Sequence, residues 1–179
     1  MAKVRVKRDA AQDKLLGKEV LAYLNYGEGA THDKPVWALI GGQTTADYDM
    51  SADSIDATNK ASGGWGETYA GVKSTELDLE GIICKSDEAY EQLQAAFLAG
   101  EAVDICRFRG DGRAERNWYS ITELSDETPH DDTSTFKMTL NGLGKPTFYK
   151  GCKTVDDVGP ATEIKEDSAT TGTTPSTGD

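Results

Sequence analysis

Hydrophobic and polar residues alternate along much of this 179-residue chain, which is the pattern that predicts β-strands. The clearest run is Val72–Ile83, where Leu77 and Leu79 fall on one face of the predicted strand. The opposite face carries three carboxylates, those of Glu76, Asp78 and Glu80. We therefore expect Leu77 and Leu79 to enter a core and the carboxylates to point away from it.

Shorter segments with the same alternation predict the rest of a β-rich domain. Two of them flank Gly110-Asp111-Gly112, an Asp-Gly signal that is typical of a β-hairpin. The predicted strands are Val20–Tyr26, Pro35–Ile40, Val103–Arg109, Arg113–Ile121, Thr133–Leu140 and Thr147–Lys150.

One helix is predicted, over about residues 86–99. Ser86 is a suitable N-cap, and Gly100 stands where a left-handed residue commonly ends a helix. A single apolar stripe indicates that this helix packs against a sheet from one side only; it consists of Tyr90, Leu93 and Phe97. The predicted fold is mainly β, a sandwich or barrel with one flanking α-helix.

Residues 43–71 carry almost no apolar signal and predict a long loop or hairpin. Thr, Asp, Ser, Ala and Gly dominate there, and Trp65 and Tyr69 are the only aromatic side chains after Met50. Such a segment buries too little to order itself, so we expect it to become ordered against a neighbouring molecule. Trp65 serves either as a core anchor or as an interface anchor, and its polar surroundings favour the interface.

Composition divides the chain into three regions. Residues 1–18 contain six Lys and Arg and predict a flexible basic arm, residues 19–152 form the β domain, and residues 153–179 predict a polar, disordered tail. The arm lacks the apolar core of a signal peptide, and no run reaches the roughly 20 apolar residues of a membrane span. Three widely spaced cysteines indicate reduced thiols in a protein made in the cytoplasm.

The net charge of −12 argues against a protein that grips duplex DNA, because such grips are built from Lys and Arg. An acidic surface repels polyanions. The charge therefore leaves room for a surface along which nucleic acid passes without binding.

No catalytic or metal-binding arrangement emerges from the residues that carry reactive chemistry. A Cys106–His130 nucleophile pair is conceivable, but Cys106 lies in an apolar strand where a buried, inert thiol is favoured. The pairs Asp131-Asp132 and Asp156-Asp157 lack the spacing of a calcium loop and are interpreted as solvated loop acids. We expect no enzyme activity, no catalytic residue, no metal and no cofactor.

Two further motifs have ordinary explanations. Gly142–Thr147 lacks the first Gly of a phosphate-binding loop and has Pro146 where Ser or Thr is needed. Arg109-Gly110-Asp111 spells an adhesion tripeptide but also forms the predicted hairpin turn. Arginines around that turn indicate either a cross-strand charged face or a contact with acidic neighbours. These arginines are Arg107, Arg109, Arg113 and Arg116.

An ordered series of segments between Trp37 and Phe148 resembles the major tail (tail tube) protein family of long-tailed, siphovirus-type phages and of gene transfer agents. The most specific part is the Gly63-Gly64-Trp65 element, its distance to the helix, and a closing polar and aromatic strand. The segments are Thr44–Ser51, Asp56–Lys60, Gly63–Glu67, Ala70–Ser74, Ser86–Glu101 and Ser134–Gly142.

This resemblance implies a structural virion protein that forms stacked hexameric rings and so builds the tail tube for DNA ejection. It implies the tape-measure, tail-terminator and baseplate proteins as partners, with assembly in the bacterial host cytoplasm and no membrane. The alternatives are a tube subunit of a contractile tail or secretion apparatus, and a surface-binding β-sandwich that uses the Arg109-Gly110-Asp111 turn.

Within a tube, we expect the carboxylates of Glu76, Asp78 and Glu80 to face the lumen; the alternative is an ordinary solvent face on the outside. The polar 43–71 segment is expected to contact the neighbouring ring. The predicted inter-subunit or inter-ring contacts are Asp47, Tyr48, Asp49, Trp65, Tyr69, Arg107 and Arg109.

Overall fold

An antiparallel sheet of eight strands and one α-helix form the framework of the protein in the computed structural model, which describes residues 14–61 and 63–165. The strands are β1 (Val20–Asn25), β2 (Trp37–Leu39), β3 (Gln43–Asp56), β4 (Thr68–Ile82), β5 (Val103–Arg109), β6 (Arg113–Glu127), β7 (Thr135–Gly142) and β8 (Thr147–Lys150). The helix α1 spans Glu88–Ala99, between β4 and β5. The mainly β fold with one flanking helix is confirmed.

The sheet runs in the order β2-β1-β5-β6-β7-β4-β3, and every neighbouring pair is antiparallel. Strand β6 connects the two halves of this sheet. Its first half pairs with β5 up to Tyr119 and with β8, while its second half, from Tyr119 to Glu127, pairs with β7. The sheet is not closed into a barrel, because β2 and β3 stand at its two ends.

Side chains close part of the gap between β1 and β3. The amide of Gln43 accepts a hydrogen bond from the backbone N of Ala22 at 2.8 Å and donates to its backbone O at 3.1 Å. Arg107 on β5 donates from Nε to the backbone O of Ala46 at 2.8 Å. These bonds hold the two halves of the sheet face to face where no backbone ladder joins them.

The main core lies between the sheet halves and α1. Leu77 and Leu79 are fully buried there, which confirms the inward face predicted for β4. Alternation on β7 likewise buries Phe136, Met138 and Leu140. A second, smaller cluster lies below β8, and its buried members are Cys106, Ala114, Tyr149, Cys152 and Val158.

The N-cap of the helix lies one residue later than predicted. Asp87, not Ser86, is the N-cap: its Oδ1 accepts from the backbone N atoms of the first turn, and its Oδ2 accepts from Gly41 N at 2.8 Å. Gly100 ends the helix in the predicted left-handed conformation, with φ 68°. Phe97 is 37% exposed, contrary to the predicted stripe, because Ala96 instead of Phe97 follows Leu93 on the buried face.

The segment after Cys152 was expected to be a polar, disordered tail. Its described part, residues 153–165, packs on the domain: Val158 is 3% exposed, and Ile164 N donates to Phe148 O at 2.8 Å. Val155 packs against the same cluster as Val158, and Lys150 N donates to Thr162 O at 2.9 Å. Residues 1–13 of the predicted arm and residues 166–179 of the predicted tail lie outside the described residues.

Candidate functional site

Carboxylates from strands β3, β4 and β6 gather on the face of the sheet that points away from the core. Asp78 lies directly opposite Asp47 on β3, and Glu76 lies opposite Asp49. Glu123 on β6 continues the row through Thr139. The acidic face, as we call it, consists of Asp47, Asp49, Glu76, Asp78, Glu80 and Glu123.

This arrangement costs folding stability. Like charges placed directly opposite on neighbouring strands are unfavourable by roughly 0.2–1 kcal/mol a pair. The one ion pair described within the acidic face joins Lys137 Nζ to Glu80 Oε1 at 3.1 Å, and the bond to Glu80 raises the pKa of Lys137. Asp78 accepts a hydrogen bond from Thr139 Oγ1 at 2.7 Å. A surface that tolerates this repulsion is better explained by function than by stability.

The remaining side chains on the same rows are small and polar. The hydroxyl oxygens of Ser51 and Ser74, which lie opposite each other, are 2.8 Å apart. Other members are Thr45, Ser125, Thr139 and Asn141. The acidic face is therefore a polar surface of small side chains on which negative charge predominates.

Beyond the core, β3 and β4 continue as a projecting hairpin. Residues 51–56 and 68–74 are paired with each other, and almost every side chain in them is exposed. At about 3.3 Å a residue, this stem extends roughly 20 Å past the body. The predicted loop or hairpin at 43–71 is thus a hairpin, and its two strands pair with each other within the chain.

Four large apolar side chains are exposed on this hairpin. Trp65 is 81% exposed and Val72 76% exposed, while Ile55 and Tyr69, which lie opposite each other, are also more than half exposed. Exposed apolar groups gathered in one place mark an interaction surface more often than single ones do. We call these four residues the hairpin tip.

The residues that were predicted as contacts lie in separate places. Trp65 and Tyr69 belong to the hairpin tip. Asp47 and Asp49 lie on the acidic face beside the predicted lumen residues. Tyr48, between them in sequence, points the other way and packs on the core.

Arg107 and Arg109 bind carboxylates of their own chain. Both guanidinium groups contact Glu115, at 3.2 and 3.5 Å respectively, and Arg109 also contacts Asp111 at 3.2 Å. Of the two interpretations of these arginines, the intrachain ion pairs match the cross-strand charged face; contact with a neighbouring subunit stays a prediction. Because Arg109 and Asp111 bind each other, the tripeptide does not present two separate charges to a receptor.

A buried ionic network was not foreseen from the sequence. Asp104 and Arg116 are 3% and 5% exposed, and Arg116 donates to both carboxylate oxygens. Asn25 Nδ2 donates to Asp104 at 2.9 Å, and His32 Nδ1 lies 3.1 Å from it. Burial alone would raise the pKa of Asp104, but the bonds from Arg116, Asn25 and His32 outweigh it and lower the pKa.

This network fixes the loop between β1 and β2. Arg116 Nη2 donates to the backbone O of His32 at 2.7 Å, and the His32 ring stacks on Trp118 with centroids 5.5 Å apart. Asp104 and Arg116 lie on paired strands, so only the register of β5 against β6 brings them together. That register was not visible in the sequence.

The groups that were considered for catalysis are not arranged for it. Cys106 is fully buried, and burial raises the pKa of its thiol, whereas the side chain of His130 is fully exposed. Among the described residues no cluster of His, Cys, Asp and Glu is arranged to hold a metal ion. In the same part of the chain, no helix is long and apolar enough to cross a membrane.

Comparison with known proteins points in one direction. The model of the family described as phage tail tube protein matches residues 15–148, and no curated protein sequence matches the chain. The tail of an empty gene transfer agent particle, refined with C6 symmetry, is similar at 21% identity and a TM-score of 0.66, over 75% of this chain and 98% of that one.

Two other solved structures share the fold. The SPP1 tail tube has 10% identity and a TM-score of 0.66, over 81% of this chain and 84% of that one. A chain of the six-fold symmetrised baseplate of the anti-feeding prophage has 7% identity and a TM-score of 0.55, over 84% and 98%. Because the family model covers most of the β domain, the chain belongs to the phage tail tube protein family and is a structural subunit of a tail tube.

Proposed function

We propose that this subunit assembles into hexameric rings that stack into a tube, with the acidic face lining the lumen through which DNA passes. The observation that carries the proposal is the acidic face itself, an extended row of mutually repelling carboxylates on one side of a sheet. Six-fold symmetry in the similar gene transfer agent tail and prophage baseplate supports the number of subunits.

The strand arrangement provides a way to close such a ring. Strands β6, β7, β4 and β3 form the half of the sheet that carries the acidic face, and its outer edges are β3 and the second half of β6. Beyond Tyr119, the described residues pair with β6 only on its β7 side. Exposed edges of this kind invite pairing with another chain.

Strand direction is compatible with that joint. The four strands alternate in direction, so β3 runs opposite to β6. If the β3 edge of one subunit meets the β6 edge of the next, the pairing is antiparallel at every joint. A heterologous contact of this kind generates a closed ring when its rotation closes.

An acidic lumen suits DNA transit for an electrostatic reason. A wall of Lys and Arg would neutralise phosphates, release counterions and hold the DNA in place. A wall of carboxylates repels the phosphates and keeps the DNA mobile in a hydrated channel. We further propose that the tube encloses a tape-measure protein and meets terminator and baseplate proteins at its ends, after synthesis in the host cytoplasm.

A second candidate is the tube of a contractile tail or secretion apparatus. The fold shared with a chain of the anti-feeding prophage baseplate, at a TM-score of 0.55, is compatible with it. Such a tube would carry a sheath on its outer surface. A sheath gene beside this one, and sheath-decorated tubes in purified particles, would decide for this candidate.

The hairpin is the part of the subunit that the ring does not require. We expect replacement of residues 57–67 by Asn-Gly to close the hairpin after Asp56 and Thr68, the last paired residues of its stem. None of the described residues in this range is buried, so the thermal unfolding of the body should be unchanged. Negative-stain microscopy should show long tubes for the wild type and none for the shortened variant.

Trp65→Ala and Leu98→Ala form a matched pair of controls. Their side chains are 81% and 85% exposed, so neither change affects the core, but only Trp65 lies on the hairpin tip. Shorter or fewer tubes are expected for Trp65→Ala alone. Normal tubes from the shortened hairpin, or equal effects of the two single changes, would contradict an inter-ring role for the hairpin.

A further inference from the structure

The two ends of strand β7 carry surfaces of opposite charge. We propose that the acidic loop between β6 and β7 of one subunit docks in a basic groove at the root of the hairpin in a second copy of this chain. This inference rests on the proposed stacking of rings and adds a pair of docking surfaces to it.

The groove lies where the sheet divides at the root of the hairpin. Strand β7 pairs with β4 only as far as Asn141, opposite Glu76, and the next strand, β8, pairs with β6 instead. An opening of ≈ 750 Å³ lies between the hairpin stem and the segment that leads into β8. From Glu76 toward the hairpin turn, no described strand pairs with β4 on its β7 side. That edge is therefore open to another chain.

The groove combines apolar side chains with positive charge. Met50 is 63% exposed there, and Pro146 and Phe148 line the opening beside it. The charged residues are Lys73 and Lys145, both exposed, and among the described residues that line the groove none is acidic. In a chain with 31 acidic and 19 basic residues, this surface has the rarer sign of charge. It fits a segment that carries carboxylates.

The loop between β6 and β7 provides such a segment. Residues 128–134 follow Glu127 and include Asp131 and Asp132, and all three carboxylates are on exposed residues. The side chain of Asp131 is 92% exposed, and its described ion pair is with His130 at 3.6 Å, which carries a charge only when the imidazole is protonated. No described Lys or Arg forms an ion pair with these three carboxylates, so the loop is negatively charged at neutral pH.

The loop and the groove cannot meet within one chain. The loop ends where β7 begins, at Thr135, whereas the groove opens after Gly142 at the other end of the strand. The eight residues of β7 separate the two ends by roughly 26 Å, at about 3.3 Å a residue. In the proposed ring, hydrogen bonds between strands run around the ring, so the strand ends are directed toward the rings above and below. A contact from loop to groove therefore repeats in one direction, as a stack requires.

Reversal of charge on each surface tests the contact. Lys73→Glu with Lys145→Glu should abolish long tubes in negative-stain microscopy, because the groove would then repel the acidic loop. Asp131→Lys with Asp132→Lys should do the same. All four changes together should restore the tubes, since the two surfaces again carry opposite charges.

A matched control reverses two exposed lysines outside the groove. Lys150→Glu with Lys153→Glu changes the net charge by the same amount as the groove variant and should leave the tubes intact. Normal tubes from the groove variant, or four combined changes that form no more tubes than either pair, would overturn the docking. Loss of tubes in the groove variant but not in the loop variant would overturn the loop as the occupant.

Crosslinking measures proximity while the charges stay in place. Ala52→Cys in the groove and Thr128→Cys in the loop are at exposed positions, and Cys84→Ser removes the exposed native thiol. Tubes of this triple variant treated with a short bis-maleimide should give a ladder of covalent multimers on a denaturing gel. The ladder should disappear when Leu98→Cys, at an exposed position on α1, takes the place of Ala52→Cys.

The outcomes separate this inference from the function on which it rests. Absence of tubes in wild-type protein counts against the tube function. Tubes of the triple variant that form normally but give no ladder, or an equal ladder from the Leu98→Cys control, would overturn the groove as the docking surface while leaving the tube function intact.

Discussion

Two groups of charged residues in this subunit differ in whether their charges are compensated by neighbouring side chains. Asp104 is buried, receives hydrogen bonds from Arg116 and Asn25, and stabilises the fold. The acidic face is half exposed, and aspartates such as Asp47 and Asp78 lie directly opposite each other without an intervening cation. The buried charges are compensated within the chain, whereas the carboxylates of the acidic face, which we propose line the tube, are left to repel one another.

The largest expected effect is a loss of stability when the buried pair of Asp104 and Arg116 is broken. Asp104→Asn removes the charge opposite buried Arg116, and breaking one partner of a buried pair costs about 3–5 kcal/mol. We expect the free energy of unfolding in urea to fall by that order. Asp78→Asn is the control on the acidic face; an equal loss there would remove the distinction between the two groups.

The pH dependence of stability should follow the same distinction. The pKa of Asp104 in the folded state is lower than its ordinary value of 3.8, so its ionised form stabilises the protein above pH 4. That contribution is lost as the pH falls through the folded pKa. Below pH 4, the wild-type protein should therefore lose more stability than the Asp104→Asn variant. Thermal unfolding at stepwise lower pH measures this difference. Equal losses in the two proteins would contradict the role of Asp104.

The smallest expected effect is a gain in stability when charge is removed from the acidic face. Asp47→Asn together with Asp78→Asn removes two facing carboxylates, so the free energy of unfolding should rise by roughly 0.2–1 kcal/mol. High salt screens the same repulsion and should stabilise the wild type more than the double variant. Loss of stability in the double variant would contradict this expectation, because it would show that the facing carboxylates stabilise the fold.

Local periodicity predicted most of the body of this fold. Alternation along β4 separated Leu77 and Leu79 from the carboxylates, and the turn at Gly110-Asp111-Gly112 lies between β5 and β6 as expected. These features depend on neighbours in sequence. They required no knowledge of which strand pairs with which.

The features that were missed depend on the residue-by-residue register of paired strands or on isolated residues. Asp47 faces Asp78 only because β3 and β4 pair across an 11-residue connection with two irregularities in the ladder. Asp104 and Arg116 meet because of the pairing of β5 with β6. Val158, a single apolar residue in a polar stretch, has no periodicity that would mark it as buried.

A helical reconstruction of assembled tubes tests the central proposal most directly, because it shows which side of the sheet faces the channel. We predict that the carboxylates of Glu76, Asp78 and Glu80 line the lumen, with Asp47 and Asp49 beside them and α1 on the side away from it. A reconstruction that places these carboxylates on the outer surface of the tube would contradict the proposed function of the acidic face.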